Sequence, residues 1–134
     1  MQALEYCRML TVYRENPDMV FLCQPNNPTG QLTPLPLVEA LLHRCEACGA
    51  LLVVDECFLD FLPESEALTA KKLLASPNLI ILKAFTKLYG MAGVRLGYCL
   101  CSNTALLEAV NAALEELKAD GTLQAIVDKY ITAE

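Results

Sequence analysis

Three short, uninterrupted apolar runs constrain this chain more than any other feature: Met19–Cys23, Leu51–Val54 and Leu79–Leu82. Each follows a turn former: Asn16-Pro17-Asp18, Gly49 and Ser76-Pro77-Asn78. Continuous apolar runs of this length, without polar alternation, are expected of buried strands in a parallel sheet. The second strand is read through Asp55, and Gly97–Cys101 reads as a fourth, shorter strand. Between the first two runs, Leu37, Leu41, Leu42 and Cys45 give helical periodicity over Leu35 to Cys48, with Gly49 as the stop signal. Residues 1–15 read as a short helix with Leu4, Met9, Leu10 and Tyr13 apolar, and Pro63 to Ala75 as a loop followed by a short helix. Near the end, Asn103 or Thr104 caps a helix whose apolar face is Leu106, Leu107, Val110, Ala113, Leu114 and Leu117. Asp120-Gly121 ends it, and Thr122 opens a last helix with Leu123, Ile126, Val127, Tyr130 and Ile131 inside.

Strands alternating with helices predict an α/β fold: three layers, with a mainly parallel sheet of about four strands and flanking helices. The expected organisation is one α/β domain over residues 1–134. Residues 1–103 form its sheet segment and 104–134 a helical tail.

Hydrophobic residues make up 54% of the 134, enough for a core. The net charge of −6 argues against nucleic acid and anionic membranes, which require basic patches. No apolar run approaches the ~20 residues of a membrane helix. The start lacks a basic region leading into a long apolar run, so no signal peptide is expected. Cys7, Cys23, Cys45, Cys48, Cys57, Cys99 and Cys101 are odd in number and mostly lie in apolar runs, which fits a reduced, cytoplasmic setting. Cys45 and Cys48 form a C-x-x-C without a second pair, and His43 completes no finger pattern, so no metal site is expected.

In parallel α/β sheets, ligands bind beyond the carboxyl ends of the strands. Asn26-Asn27-Pro28-Thr29-Gly30 follows the first strand, Asp55-Glu56 ends the second, and Thr86-Lys87 follows the third. An amide, a carboxylate and an amine therefore converge on one rim. A lysine amine can condense with an aldehyde. A carboxylate can keep a pyridine nitrogen protonated, and an amide can donate to a phenolate oxygen. Arg95 could fork onto a phosphate.

Asn-Asn-Pro-Thr-Gly, Val-Val-Asp-Glu-x-Phe-x-Asp-Phe, and Lys-Ala-Phe-Thr-Lys-Leu-Tyr-Gly-Met-Ala-Gly-Val-Arg-Leu-Gly-Tyr, in that order, resemble the class I/II (fold-type-I) aminotransferases. The resemblance covers roughly residues 15–103 and is nearest to the histidinol-phosphate aminotransferase and threonine-phosphate decarboxylase branches, the latter from cobalamin synthesis. It implies a pyridoxal 5′-phosphate cofactor, with Lys87 as the catalytic Schiff-base lysine. It also implies Asp55 on the pyridine nitrogen, Asn27 on the phenolic oxygen and Arg95 on the phosphate. The partner would be a small amino-acid-like substrate, and the chain a homo-oligomer. Many aminotransferases carry Tyr three residues after the Asp; this chain has Phe58, as the decarboxylase branch does. Where the family often has a phosphate-binding Ser or Thr, this chain has Ala84, and Thr86 is the substitute hydroxyl.

Residues 103–131 resemble the C-terminal end of a periplasmic amino-acid-binding protein, which suggests a chimera. Three functions follow: the cofactor segment of a pyridoxal-phosphate enzyme, incomplete and weakly active or inactive alone; a non-catalytic α/β scaffold; or a solute-binding module. Phe58, Phe61, Tyr89 and Tyr98 are expected to pack the core, with Glu56 solvated or capping a helix and Asp60 solvated.

Overall fold

In the computed structural model, which describes residues 17–91, 93 and 96–130, the three apolar runs are parallel strands of one sheet. The helix expected over residues 1–15 lies outside the described residues. The structure divides after Ser102 into two compact units. The first contains β1 (Met19–Cys23), α1 (Leu35–Cys48), β2 (Leu51–Asp55), α2 (Ser65–Leu68), β3 (Leu79–Ala84) and β4 (Gly97–Cys101). Single 3-10 turns at Leu59–Phe61 and Ala70–Leu73 flank α2, where the sequence suggested a loop and one short helix.

The strand order is β1-β2-β3-β4. Val20, Leu52 and Leu79 are register neighbours, as are Cys23, Asp55 and Leu82. β4 runs antiparallel to β3, so the sheet is mixed, within the expected α/β class. β3 is two residues longer than its apolar run, because Lys83 and Ala84 pair with Tyr98 and Gly97.

Alternation along the strands sorts the side chains into two faces. Leu52, Val54, Leu79 and Ile81 pack on Val38, Leu41, Leu42 and Cys45 of α1 and on Ala70, and this is the core. On the other face Val53 is buried at the sheet centre, while Phe21, on the outer strand, is 68% exposed. A fully apolar strand is thus covered on both faces at β2 but not at β1. α1 ends at Gly49, whose φ of 77° is the left-handed conformation that lets its N–H reach back to the Cys45 and Glu46 carbonyls.

The second unit holds α3 (Thr104–Ala119) and α4 (Thr122–Tyr130), which contact each other. Asn103 caps α3 as expected: its side-chain oxygen accepts the Leu106 N–H at 3.0 Å. Asp120 accepts the Thr122 N–H at 2.8 Å and starts α4. Leu106, Leu117, Leu123 and Val127 are half-buried, whereas Leu107, Val110, Leu114 and Ile126 are exposed.

Gly97 opens β4 where no side chain fits. A Cβ there would lie 2.9 Å from the Lys83 carbonyl oxygen, in the backbone of the paired strand. Gly97→Ala must push β4 off the end of β3. We expect it to cost about 1–3 kcal/mol, as overpacking does, read as a lower urea midpoint at unchanged slope.

Candidate functional site

The carboxyl ends of β1, β2 and β3 form one rim, tied by backbone bonds that run past the strands. The Gln24 N–H donates to the Asp55 carbonyl at 2.8 Å, and the Glu56 N–H to that of Leu82 at 3.0 Å. Each loop that leaves this rim carries one of the residues singled out by the sequence.

The first loop is shaped from its base. Gln24 is almost wholly buried. Its side-chain Nε2 donates to the Thr33 carbonyl at 2.7 Å, and its Oε1 accepts the Thr33 N–H at 2.8 Å. This two-way bond mimics a strand pair and closes the loop nine residues apart. Inside it the Gly30 N–H donates to the Asn26 carbonyl, the Asn26 N–H donates to that of Gln31, and Asn26 Nδ2 donates to Thr29 Oγ1. Asn27 is left at the exposed tip. It lines a cleft of about 360 Å³ with Pro25, Pro28, Phe58, Phe61 and Leu62.

Phe58 and Phe61 are therefore not core residues, as the sequence had suggested. They stack at 6.1 Å on the wall of the cleft, and Phe61 is 54% exposed. The 3-10 turn at Leu59–Phe61 buries Leu59 instead and swings its two neighbours outward. Tyr89 and Tyr98 also differ from expectation. Both are exposed and lie against Phe85 in an aromatic group, at 5.5 and 5.4 Å.

Asp55 is half-buried at the end of β2, and its Oδ1 accepts the Cys57 N–H at 3.0 Å. Burial first, then a hydrogen bond to Asp55 and its charge, push the Cys57 thiol up to about 12. Lys87 is exposed on the turn between β3 and β4, where the Gly90 N–H donates to its carbonyl. Its Nζ sits 5.6 Å from the centroid of the Phe58 ring. Phe58 thus links the lysine loop to the cleft that Asn27 lines. Thr86 is half-buried beside Lys87, and Arg95 lies outside the described residues.

Asp60 is exposed, as expected, although it also pairs with a buried lysine, whereas Glu56 is not solvated. Glu56 is fully buried. It accepts from Thr69 Oγ1 and from the Ala70 N–H, both at 2.7 Å, so it does cap a short helical turn, but from inside the fold. Lys83 Nζ lies 3.2 Å from Glu56 and 2.8 Å from Asp60. Burial lowers the Lys83 pKa, but its hydrogen bonds to Asp60 and Glu56 outweigh that, and it stands above the ordinary lysine value. Gln24 and Lys83 both escaped the sequence reading. Their common signal is a polar residue just past the end of an apolar run.

The family model for aminotransferase class I and II matches residues 3–133. The chain belongs to that family. The match runs through the tail, so residues 103–131 lie inside it, and the likeness to a binding-protein end is set aside. Threonine-phosphate decarboxylase of Salmonella typhimurium is 40% identical over 90 residues, which are 67% of this chain and 24% of that protein. Histidinol-phosphate aminotransferase from Sinorhizobium meliloti, solved in complex with pyridoxal-5′-phosphate, superposes with a TM-score of 0.61 at 37% identity, over 69% of this chain and 25% of that one. A decarboxylase from Sulfurospirillum multivorans superposes with a TM-score of 0.62 at 38% identity, over 87% and 32%. The chain spans about a quarter of the length of the curated family members it matches. Among the described residues no helix is long and apolar enough to cross a membrane.

Two outcomes follow from the rim. Gln24→Leu keeps the bulk but strips partners from the Thr33 N–H and carbonyl. At about 1–3 kcal/mol for each buried group left unpaired, it should lower the urea midpoint more than Asn27→Leu does at the exposed tip. Cys57, held as a thiol, should react with iodoacetamide far more slowly than the exposed Cys99 at about pH 8, as read by peptide mass spectrometry. Unfolding should erase the difference. Because the folded pKa of Cys57 is raised, its contribution to stability is present below the ordinary thiol value. It is lost as pH rises past that value.

Proposed function

We propose that this chain is the cofactor-binding segment of a pyridoxal-phosphate enzyme of its family, of the threonine-phosphate-decarboxylase kind. The observation that carries the reading is the position of Lys87, with its amine on the ring of Phe58 at a cleft also lined by Asn27. Asp55 ends the strand between the two loops. The donor set suits the cofactor's ring end: an exposed amine for the aldehyde, a fixed carboxylate, and an amide at a loop tip.

In this reading Lys87 would be the residue that holds the cofactor through its aldehyde. When bound, the cofactor would supply an electron sink for charge at the substrate's α-carbon. Asp55 holds a proton on the pyridine nitrogen, and the Cys57 N–H fixes the carboxylate for that task. Asn27 donates to the phenolic oxygen. Phe58 contributes no hydroxyl there and shields one side of the amine from water. Thr86 and Arg95 hold the phosphate.

Relatives named for threonine phosphate, serine phosphate and histidinol phosphate support a phosphorylated amino compound as substrate. Phe58 in place of a tyrosine, as in the decarboxylase branch, supports the decarboxylase reading over an aminotransferase one. The enzyme is proposed to self-associate. The present residues alone are expected to turn substrate over weakly or not at all, because catalysis needs all reacting groups held together.

Adding pyridoxal phosphate to the purified chain should raise an absorbance band near the visible edge. Borohydride should then fix the cofactor's mass on the peptide containing Lys87. Lys87→Ala should lose both signals, and Asp55→Asn should weaken the band. A band of equal size in Lys87→Ala would sink the assignment.

A further inference from the structure

We propose that Lys83 is a positioning residue for the rim: its buried pair with Glu56, joined to a second pair with Asp60, locks the first turn after β2 against the strand that leads into the Lys87 loop. The functional meaning of this lock rests on the reading of the rim given above.

Lys83 is the penultimate residue of β3, and its side chain shares the face of Leu79 and Ile81. Glu56 directly follows Asp55 and shares the face of Leu52 and Val54. Continuing the β2–β3 register past Val54↔Ile81 sets Glu56 opposite Lys83. The ammonium then bridges to Asp60, in the 3-10 turn that turns Phe58 and Phe61 outward. One cation thus joins the residue after Asp55, the turn that builds the cleft wall, and the strand four residues before Lys87. No described buried side-chain polar atom is left without a partner. Both Glu56 oxygens are used, by Thr69, Ala70 and Lys83.

Stability alone does not account for such a pair. Replacing a buried ion pair with apolar groups of similar volume is often neutral or stabilising, whereas removing one partner is costly. A hydrophobic pair between β2 and β3 would hold the sheet equally well. What it would lack is the second arm, the bond from Lys83 to the exposed Asp60 beyond the sheet. That arm is directional, and it fixes the turn instead of the strands.

The test is hydrogen exchange on the full, ligand-free chain. Lys83→Met alone strands a buried carboxylate and can fail to fold, so the decisive variant is Lys83→Met with Glu56→Gln. In it the amide oxygen can still accept from Ala70 and its NH2 can donate to Thr69. Amides over residues 56–62 should exchange about tenfold faster or more, as a locally opened segment does, while α1 and the centre of β2 keep their protection. Lys83→Arg should retain the parent pattern. Unchanged protection over 56–62 would overturn the proposal. So would a loss spread evenly over α1, β2 and the turn, since that is what a merely stabilising pair would give. The decision needs no cofactor. If pyridoxal phosphate fails to attach at Lys87 in the parent chain, the cofactor reading falls and the exchange result still decides the lock.

Discussion

Parallel pairing of β1, β2 and β3 in one register is the constraint on which everything else depends. It sets Cys23, Asp55 and Leu82 side by side and brings three loops to one end of the sheet. The backbone bonds from Gln24 to Asp55 and from Glu56 to Leu82 carry that alignment one residue beyond the strands. Without them the loops would begin at uneven depths, and the amide and amine on two loops would have no fixed relation to the carboxylate at the end of β2. β4 completes the sheet from the other direction and returns the Lys87 loop to it.

The rim combines two kinds of holding. Gln24 and Glu56 are buried, and both polar atoms of each side chain bond to the chain itself. Asn27 and Lys87 are exposed; Asn27 lines the cleft, and the Lys87 amine lies over the ring of Phe58 on its wall. The charged pair inside is shielded from salt far better than any surface pair would be. Its geometry should therefore persist across the ionic conditions in which a surface bridge fades.

Much of the fold was legible in the sequence because apolar runs of this length admit few structures. All four strands, α1 with its Gly49 stop and the Asn103 cap were readable from residues alone. The aromatic residues were not. Phe58, Phe61, Tyr89 and Tyr98 were assigned to the core by hydrophobicity, but Phe58, Phe61 and Tyr89 sit past strand ends and Tyr98 lies on the edge strand β4, and all four are exposed. Asn27, Asp55 and Lys87 were expected on one rim, and the structure sets Asp55 at the end of β2 and the other two on the loops that leave β1 and β3. Lys83 and Glu56 were hidden by the habit of sending charge to solvent. Parity would have found them: Leu79, Ile81 and Lys83 alternate onto one face, and so do Leu52, Val54 and Glu56. Two opposite charges in core-facing positions on neighbouring strands spell a buried pair.

The closure of the first loop by Gln24 has a consequence for how such a rim can change over time. The shape of the loop is decided at its stem, where a single amide does the work of a strand pair. Its chemistry is displayed at the apex, around Asn27 and Pro28. Form and vocabulary are thereby uncoupled: exchanges at the apex alter what the rim says to a small molecule, while the stem keeps delivering the loop to the same place.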